Sequence, residues 1–445
     1  MSAHVAVVGG GLAGLTAACD LSDRGVRVTL LEARNRLGGA TFSFQRDGLT
    51  VDNGQHVLLR CCTEYRALLE KLGTADGIDL QRRFRMPVLT GGGAGAELAR
   101  TGGPAPLHLA AGIARYAALP VTDRIRVFRA AAALRFLDPA DPALDRLSFA
   151  DWLGRHGQND ATLRGLWNLI AVAALNCDAS EASLALAVMV FRTALLDRAD
   201  AADIGVPALP LSELHVDPAE KYLLERGGYV RTRSPVRAIR RQGRGFTIRL
   251  DDEAIDVDGV VMAAPPDAAA LVCPREAGLD PDRLGKLGAA PIVNVHVVYE
   301  RPVTDLPFAA TVSPSSPVQW IFDRTGVAGL DSGQYLTVSL SAAHRWLDTP
   351  VAELREIFLP ELARLLPAAA GVPHRQFFVT RERRATFRQG PGTAALRPRA
   401  ATRLPGLALA GSWTATGWPD TMEGAVRSGH QAAGLIVEHI GGGSP

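Results

Sequence analysis

Short apolar runs that end abruptly are the first pattern along the chain. Val5-Ala6-Val7-Val8, Val26-Arg27-Val28-Thr29-Leu30-Leu31, Val260-Val261-Met262-Ala263 and Leu407-Ala408-Leu409-Ala410 each stop at a glycine, an acid or a proline-containing turn. Their length, β-branched content and lack of polar alternation predict strands of a parallel sheet covered on both faces. Between the first two, Leu15, Ala18 and Leu21 share one face of a predicted helix over Leu12–Asp23, closed by Gly25. Phe246-Thr247-Ile248-Arg249-Leu250 and Ile255-Asp256-Val257 alternate instead, which predicts a small antiparallel layer. Residues 86–214 read as mostly helical, broken at Gly91-Gly92-Gly93, Asp138-Pro139 and Asp141-Pro142, and 285–345 as strand-rich. No apolar run reaches the roughly 18 residues of a transmembrane helix, and no solenoid-length repeat stands out.

The first strand leads directly into Gly9-Gly10-Gly11-Leu12-Ala13-Gly14, a G-x-G-x-x-G turn that opens the predicted helix. Gly9 permits the tight turn, Gly11 lets the backbone approach a diphosphate, and Gly14 lets helix and strand pack closely. The helix offers unpaired N–H groups and the positive end of its dipole. Glu32 stands at the end of the second strand, eighteen residues after Gly14, where a carboxylate can accept both ribose hydroxyls. Strand, glycines, helix, strand and terminal acid together predict a Rossmann-like nucleotide-binding domain.

Glu32-Ala33-Arg34-Asn35-Arg36-Leu37-Gly38-Gly39 resembles the E-x-x-x-R-x-G-G extension of the amine oxidase and phytoene desaturase flavoproteins. That resemblance implies FAD rather than NAD, with Arg36 neutralising diphosphate charge and the paired glycines making a close turn beneath the flavin. The relatives carry arginine next, where this chain has Ala40, so one flavin-side contact does not carry over. Near the other end, Gly411-Ser412-Trp413-Thr414-Ala415-Thr416-Gly417-Trp418-Pro419 leads into a helix from Met422 with small residues Gly424, Ala425, Ser428 and Gly429. Small side chains allow close approach to a flavin, and the N-terminal amides can face its carbonyl and N1.

The stretch Ala410–Gly429 is similar to the closing motif of the hydroxysqualene dehydroxylases. So are Val51-Asp52-Asn53-Gly54-Gln55-His56, Leu166-Trp167-Asn168, Pro291 to His296, Val318 to Phe322, Arg384 to Phe387 and Leu396-Arg397-Pro398, all in order. The resemblance covers almost the whole chain. It implies an amine oxidase/phytoene desaturase-like α/β fold: a discontinuous FAD-binding domain from 1–85, 215–275 and 365–445, and an α+β substrate domain from 86–214 and 276–364. It further implies FAD contacts at Gly9, Gly11, Ala13, Gly14, Glu32, Ala33, Arg34, Arg36, Gly38, Gly39, Gly54, Gln55, His56, the backbone of Val236, Gly411, Ser412, Thr421, Met422 and Glu423. Most relatives have an acid where this chain has Ser412, which keeps a hydroxyl but no charge. Glu423 is expected at a helix N-terminus, supporting the flavin site.

The activity implied is removal of the allylic hydroxyl of hydroxysqualene to give squalene, on the route to hopanoids, with reduced FAD as hydride source and an electron donor of unspecified kind. Protonating the hydroxyl lets water leave, so an acid is needed. His56 is the candidate, with a structural role in its loop as the competing reading. Trp413 and Trp418 flank the presumed flavin loop and are candidates for an aromatic pocket that stabilises a cation and excludes water. An isoprenoid desaturase or amine-oxidase-like oxidase shares the first fingerprint but takes hydride from its substrate. A non-catalytic prenyl-lipid-binding protein on this fold would not need the flavin-facing loop.

Composition narrows the partners. With 47% hydrophobic and 21% charged residues and a net charge of +2 in 445 residues, the chain reads as an ordinary folded protein with no case for nucleic acid. Five cysteines without a C-x-x-C spacing, and ten histidines without an H-x-x-x-H pair, suggest neither disulfides nor a metal. Between Arg115 and Arg135 there are five arginines and one acid, Asp123, with Leu109, Ile113, Tyr116, Ile125 and Phe128 at helical spacings. A basic amphipathic stretch over 107–137 can lie on an anionic membrane, and a surface helix pair with solvated arginines fits the same pattern. Met1-Ser2-Ala3-His4 enters a strand without a secretory pattern, so the cytoplasm, peripherally at the inner membrane face, is the expected location.

Overall fold

The computed structural model describes residues 3–91, 95–313 and 315–442; Gly92 and Gly93 of the predicted glycine break lie outside them. Five strands, β1 (His4–Val8), β2 (Arg27–Leu31), β3 (Tyr229–Arg231), β4 (Gly259–Met262) and β5 (Leu407–Leu409), form a parallel sheet in the order β3-β2-β1-β4-β5. Strand β1 is central, and its alternate residues enter two cores. Val5 and Val7 pack with α1 (Leu12–Asp23) and the C-terminal helix, while Ala6 and Val8 pack with Ile239, Phe246 and Ile248 of a three-stranded antiparallel layer. Burial on both faces is why these strands read as unbroken apolar runs.

Among the other helices are α2 (Thr63–Leu72), α3 (Val121–Leu134) and α4 (Phe149–Arg155), and α5 (Met422–Gly441) is the last of the described residues' helices. Helices α1 and α5 lie against one another because α5 is glycine-bearing at the contact. A Cβ on Gly429 would stand 2.5 Å from the carbonyl oxygen of Ala13. Gly429 therefore serves packing on α1. Gly424 fits under the Pro419 carbonyl, and the Ser428 hydroxyl accepts from the Gly411 N–H at 2.7 Å.

A second sheet has seven strands, in the order His374–Thr386, Ala290–Tyr299, Gln334–Leu340, Trp320–Asp323, Phe308–Val312, Arg85–Thr90 and Gly95–Ala99. Helix Val351–Leu365 buries Leu354, Phe358 and Leu362 in one of its faces, and a helical lobe containing α3 and α4 completes this part of the molecule. The domain boundary expected at 365 is corrected. Strand His374–Thr386 pairs with Ala290–Tyr299 in the second sheet, so 374–386 belongs there. Its charged residues, Arg375, Arg381, Glu382, Arg383 and Arg384, hid it from a reading based on apolar runs. Conversely, Ala277, Leu284 and Leu287 pack with Phe246 and Ile248, which moves 277–287 to the nucleotide-binding side.

The expected apolar face of the basic stretch is corrected as well. Leu109, Ile113 and Tyr116 are buried in the core of the helical lobe, Phe128 is half-buried, and Ile125 is the exposed one of the five. Among the described residues no helix is long and apolar enough to cross a membrane.

Gly429→Ala places a methyl group against backbone that cannot retreat without separating α5 from α1. The substitution is expected to cost about 1–3 kcal/mol, read as a lowered melting temperature; an unchanged transition would contradict this account of the helix contact.

Candidate functional site

At the end of β1 the chain turns at Gly9, whose φ of +110° is one that side chains resist. A Cβ on Gly9 would meet the Ala263 carbonyl at 2.7 Å, and one on Gly14 would meet the Gly9 carbonyl at 1.9 Å. The turn can close only without side chains. Helix α1 then begins at Gly11 with no side-chain cap and no acid in its first turn, which leaves its first N–H groups for a ligand. Buried Glu32 fixes this turn: one carboxylate oxygen accepts from the Gly10 N–H at 2.7 Å and the other from the Arg34 N–H at 2.8 Å. Each oxygen retains lone-pair capacity for a ribose hydroxyl. Ala13 lies buried within the first turn of α1.

The loop carrying Ala33 to Gly39 folds onto that turn. Gly38 donates to the Gly10 carbonyl at 2.9 Å, and a Cβ on Gly39 would stand 2.8 Å from the Cα of Gly11. Arg36 braces its own loop, donating to the Leu37 and Gly39 carbonyls at 3.3 Å and covering the Phe42 ring at 3.1 Å. Burial, with Arg34 nearby, pulls its pKa down. Val236 follows Ser234, whose N–H donates to the Glu32 carbonyl, so this segment runs past the end of β2 at Glu32.

The second half of the site is the loop from Gly411 to Asp420. Buried Arg397 organises it, donating to the carbonyls of Trp418 (2.7 Å), Ser412 (2.9 Å) and Thr414 and to the Thr416 hydroxyl at 3.0 Å. The sequence marked Arg397 only as part of a motif and assigned it no role. Trp413 is corrected from the pocket to the core: it is 6% exposed, its indole N–H reaches the Ala264 carbonyl at 3.2 Å, and it packs with Met262 and Phe387. The cause is Gly411, whose φ of +135° doubles the chain back onto its own indole. Trp418 stays half-buried against the helical lobe, with the Arg427 guanidinium 4.7 Å from its ring. Thr421 caps α5 through the Gly424 N–H at 3.1 Å and leaves the N–H groups of Met422 and Glu423 outside that cap.

Glu423 has a different target from the one expected. Its buried carboxylate accepts from the N–H groups of Glu64 and Tyr65 at 3.1 and 2.9 Å, capping α2 from another helix, and pairs with Arg427 at 2.8 Å. Helix α2 has no cap of its own, since Cys62 makes no side-chain bond there.

Between the two sheets lies the segment Asp52 to His56. Asp52 and Arg324 form an ion pair at 2.8 Å with side chains 4% and 5% exposed. Asp52 also accepts from the Ser43 hydroxyl (2.6 Å) and the Leu211 N–H (3.0 Å), and Arg324 donates to the Pro207 carbonyl (3.0 Å). Asn53 bonds Phe42 and Ala40 on one side, while its carbonyl accepts from Asn294 of the second sheet at 3.3 Å. Gly54 and Gln55 carry the chain to His56, whose half-buried ring holds Nε2 sealed from solvent and without a hydrogen-bond partner among the described residues. Burial lowers its pKa to about 4, so the neutral ring is favoured.

Two groups that sequence reasoning missed lie in this region. His215 is fully buried, paired through Nε2 with the Thr41 hydroxyl (3.0 Å) and through Nδ1 with the Tyr65 hydroxyl (3.1 Å), and burial lowers its pKa to about 3. Thr41 in turn donates to the Gly38 carbonyl at 3.0 Å. Asp420 accepts from the Phe387 N–H at 2.7 Å, and burial raises its pKa. Among the described residues no His/Cys/Asp/Glu group is gathered for a metal ion.

The cradle fits FAD on its own geometry. It offers a bare helix N-terminus, a carboxylate with spare acceptor capacity, a glycine-lined approach between Gly11 and Gly39, and an unpaired imidazole nitrogen. A model of the family described as flavin containing amine oxidoreductase matches residues 12–437. Hydroxysqualene dehydroxylases of Sinorhizobium fredii and Rhodopseudomonas palustris are each 31% identical, with 98% of this chain and 99% of theirs covered. A zeta-carotene desaturase of Synechocystis is 28% identical over 98% of this chain and 97% of its own. Among solved structures, cyclohexylamine oxidase from Brevibacterium oxydans superposes with a TM-score of 0.73 at 20% identity, covering 99% of this chain and 100% of that one. This last likeness concerns the fold alone.

Fully buried neutral His215 and His296 make stability depend on acid. Both have folded pKa values of about 3 against roughly 6.5 in the unfolded chain. As pH falls below about 6.5 the unfolded state takes up protons that the native state refuses, at a cost on the order of 1–2 kcal/mol per ring by about pH 5. The melting temperature should therefore fall across that window, and His296→Gln should flatten part of the fall. A profile unaffected by the substitution would contradict the assignment.

Proposed function

The chain belongs to the hydroxysqualene dehydroxylase family of flavin-containing amine oxidoreductases and is an FAD-dependent oxidoreductase, and from that premise we propose that it reduces hydroxysqualene to squalene. The observation that carries this reading is 31% identity to two proteins of that name, over 98% of this chain and 99% of theirs. Bound FAD supplies the hydride. The protein's own work is to hold a long isoprenoid, exclude water and deliver one proton to the leaving hydroxyl.

Half-buried Leu59, Val206, Val312, Trp320 and Trp418 pack against the helical lobe's core and are the apolar side chains we assign to the isoprenoid. Two groups compete as proton source. His56 sits in the Asp52–His56 segment, but burial favours its neutral form, so it must take up a proton as substrate binds. Asp420 ends the Trp418 loop with a carboxyl whose pKa burial raises. We also read part of 107–137 as a peripheral contact with a membrane, from the cytoplasmic side, because the proposed substrate dissolves in lipid. In favour of the desaturase reading stands identity to carotene desaturases, 28% for one zeta-carotene desaturase over nearly the full length.

Anaerobic mixing of the reduced protein with hydroxysqualene in detergent tests the reaction. Flavin reoxidation with one squalene per flavin is expected; a flavin that stays reduced would favour the desaturase. In the same assay, replacement of the true acid should slow the single turnover by about 10²–10⁴-fold. His56→Ala and Asp420→Asn assign it, and full rates in both would remove both groups from the chemistry.

A further inference from the structure

Helix α3 has two faces of different character. Asp123, Val127, Ala130 and Leu134 point into the lobe and are buried. Val121, Ile125, Arg129 and Ala132 recur every three or four residues on one outward stripe, which Phe136 continues just past the helix end at Leu134. On that stripe Val121 is 66%, Ile125 58% and Phe136 85% exposed. Single exposed apolar residues need no explanation. Here, though, four of the nine large apolar side chains exposed among the described residues fall between Leu107 and Phe136.

Beside the stripe is a pocket of about 430 Å³ lined by Arg126, Arg129, Arg155, His156 and Gly157. Arg126 is tied to buried Asp123 at 2.5 Å. Arg129 and Arg155 have no hydrogen-bond or ion-pair partner among the described residues. His156 directs Nδ1 to the Trp152 carbonyl and stacks on that indole at 3.9 Å, which leaves Nε2 for a ligand. Arg155 and His156 alone would be explained by the negative end of α4. Arg126 is held by Asp123, but the Arg129 guanidinium converging from α3 has no such explanation, and no carboxylate lines the pocket. Unpaired guanidinium groups around a concavity are the chemistry of a phosphate monoester or diester.

We propose that this face seats the protein on an anionic bilayer, with the Arg126–Arg129–Arg155 pocket taking a phospholipid phosphate and Val121, Ile125 and Phe136 entering the acyl region. Apolar side chains set beside a phosphate pocket match a lipid, whereas a soluble anion would need only the pocket. The proposal gains its purpose from the isoprenoid reading but stands on this surface alone.

The test uses the full-length flavin-loaded protein and vesicles of phosphatidylcholine, with or without phosphatidylglycerol. Cosedimentation with the anionic vesicles, weakened by salt, is expected. Arg129→Gln and Arg155→Gln should each weaken it by about fivefold, and Phe136→Asp should weaken it with the yellow colour and melting temperature retained. Equal binding to both vesicle types, or variants that bind like the parent, would overturn the proposal. So would inorganic phosphate binding at the pocket, read by loss on Arg155→Gln, in a protein that ignores vesicles. Turnover of detergent-dispersed hydroxysqualene is followed in parallel and separates the two readings. Its absence in a protein that binds vesicles defeats the isoprenoid assignment and leaves the membrane face standing.

Discussion

A helix N-terminus holds an anion only while its first N–H groups are bare and the rest of the chain can come close without covering them. In this protein that condition rests on the absence of a few Cβ atoms. Gly9 and Gly14 let β1 turn into α1 within van der Waals contact, Gly39 lets the following loop lie on Gly11, and Gly429 lets α5 lie on α1. Each of these contacts is backbone against backbone, so a side chain at any of them would have to move an element rather than a rotamer. Glu32 locks the turn with two charge-assisted hydrogen bonds, which fixes the cradle before any ligand arrives.

Reaction chemistry requires the second sheet to meet that cradle at a fixed distance. The buried Asp52–Arg324 pair and its hydrogen bonds to Ser43, Leu211 and Pro207 join the two sides. Such a pair adds little net stability compared with apolar packing, yet losing one partner strands a charge in the interior. Its value here is geometric: it holds the Asp52–His56 segment between the glycine loop and the second sheet. Arg397 does the same for the loop that ends at Asp420, by gathering three backbone carbonyls and a hydroxyl. Glu423, by capping α2 from α5, joins those two helices.

The nucleotide half was legible in the sequence because its signals are local. A strand buried on both faces, glycines at fixed offsets and a terminal acid all lie within the first 39 residues. What escaped were partners brought together by the fold. His215 meets Thr41 and Tyr65 across 174 and 150 positions, and Arg397 binds backbone carbonyls, which no residue pattern marks. Trp413 looked like a pocket residue until the backbone at Gly411 turned it inward. Strand His374–Thr386 carries too many charges to stand out as a strand, and the basic stretch gave its composition but not its orientation. Only the folded structure distinguishes buried Leu109 and Ile113 from exposed Val121 and Phe136.

The central claim is that a proton delivered inside this seam carries the allylic hydroxyl away as water and a hydride delivered there takes its place. Single turnover in deuterated water reads the hydride, because the hydrogen carried by a reduced flavin exchanges with solvent before substrate is added, while the proton leaves with the hydroxyl as water. Squalene recovered from the reduced, deuterium-equilibrated protein and analysed by mass spectrometry should carry one deuterium at the former carbinol carbon. Squalene without deuterium, formed at the same rate, would contradict the account by requiring a hydride source other than the bound cofactor.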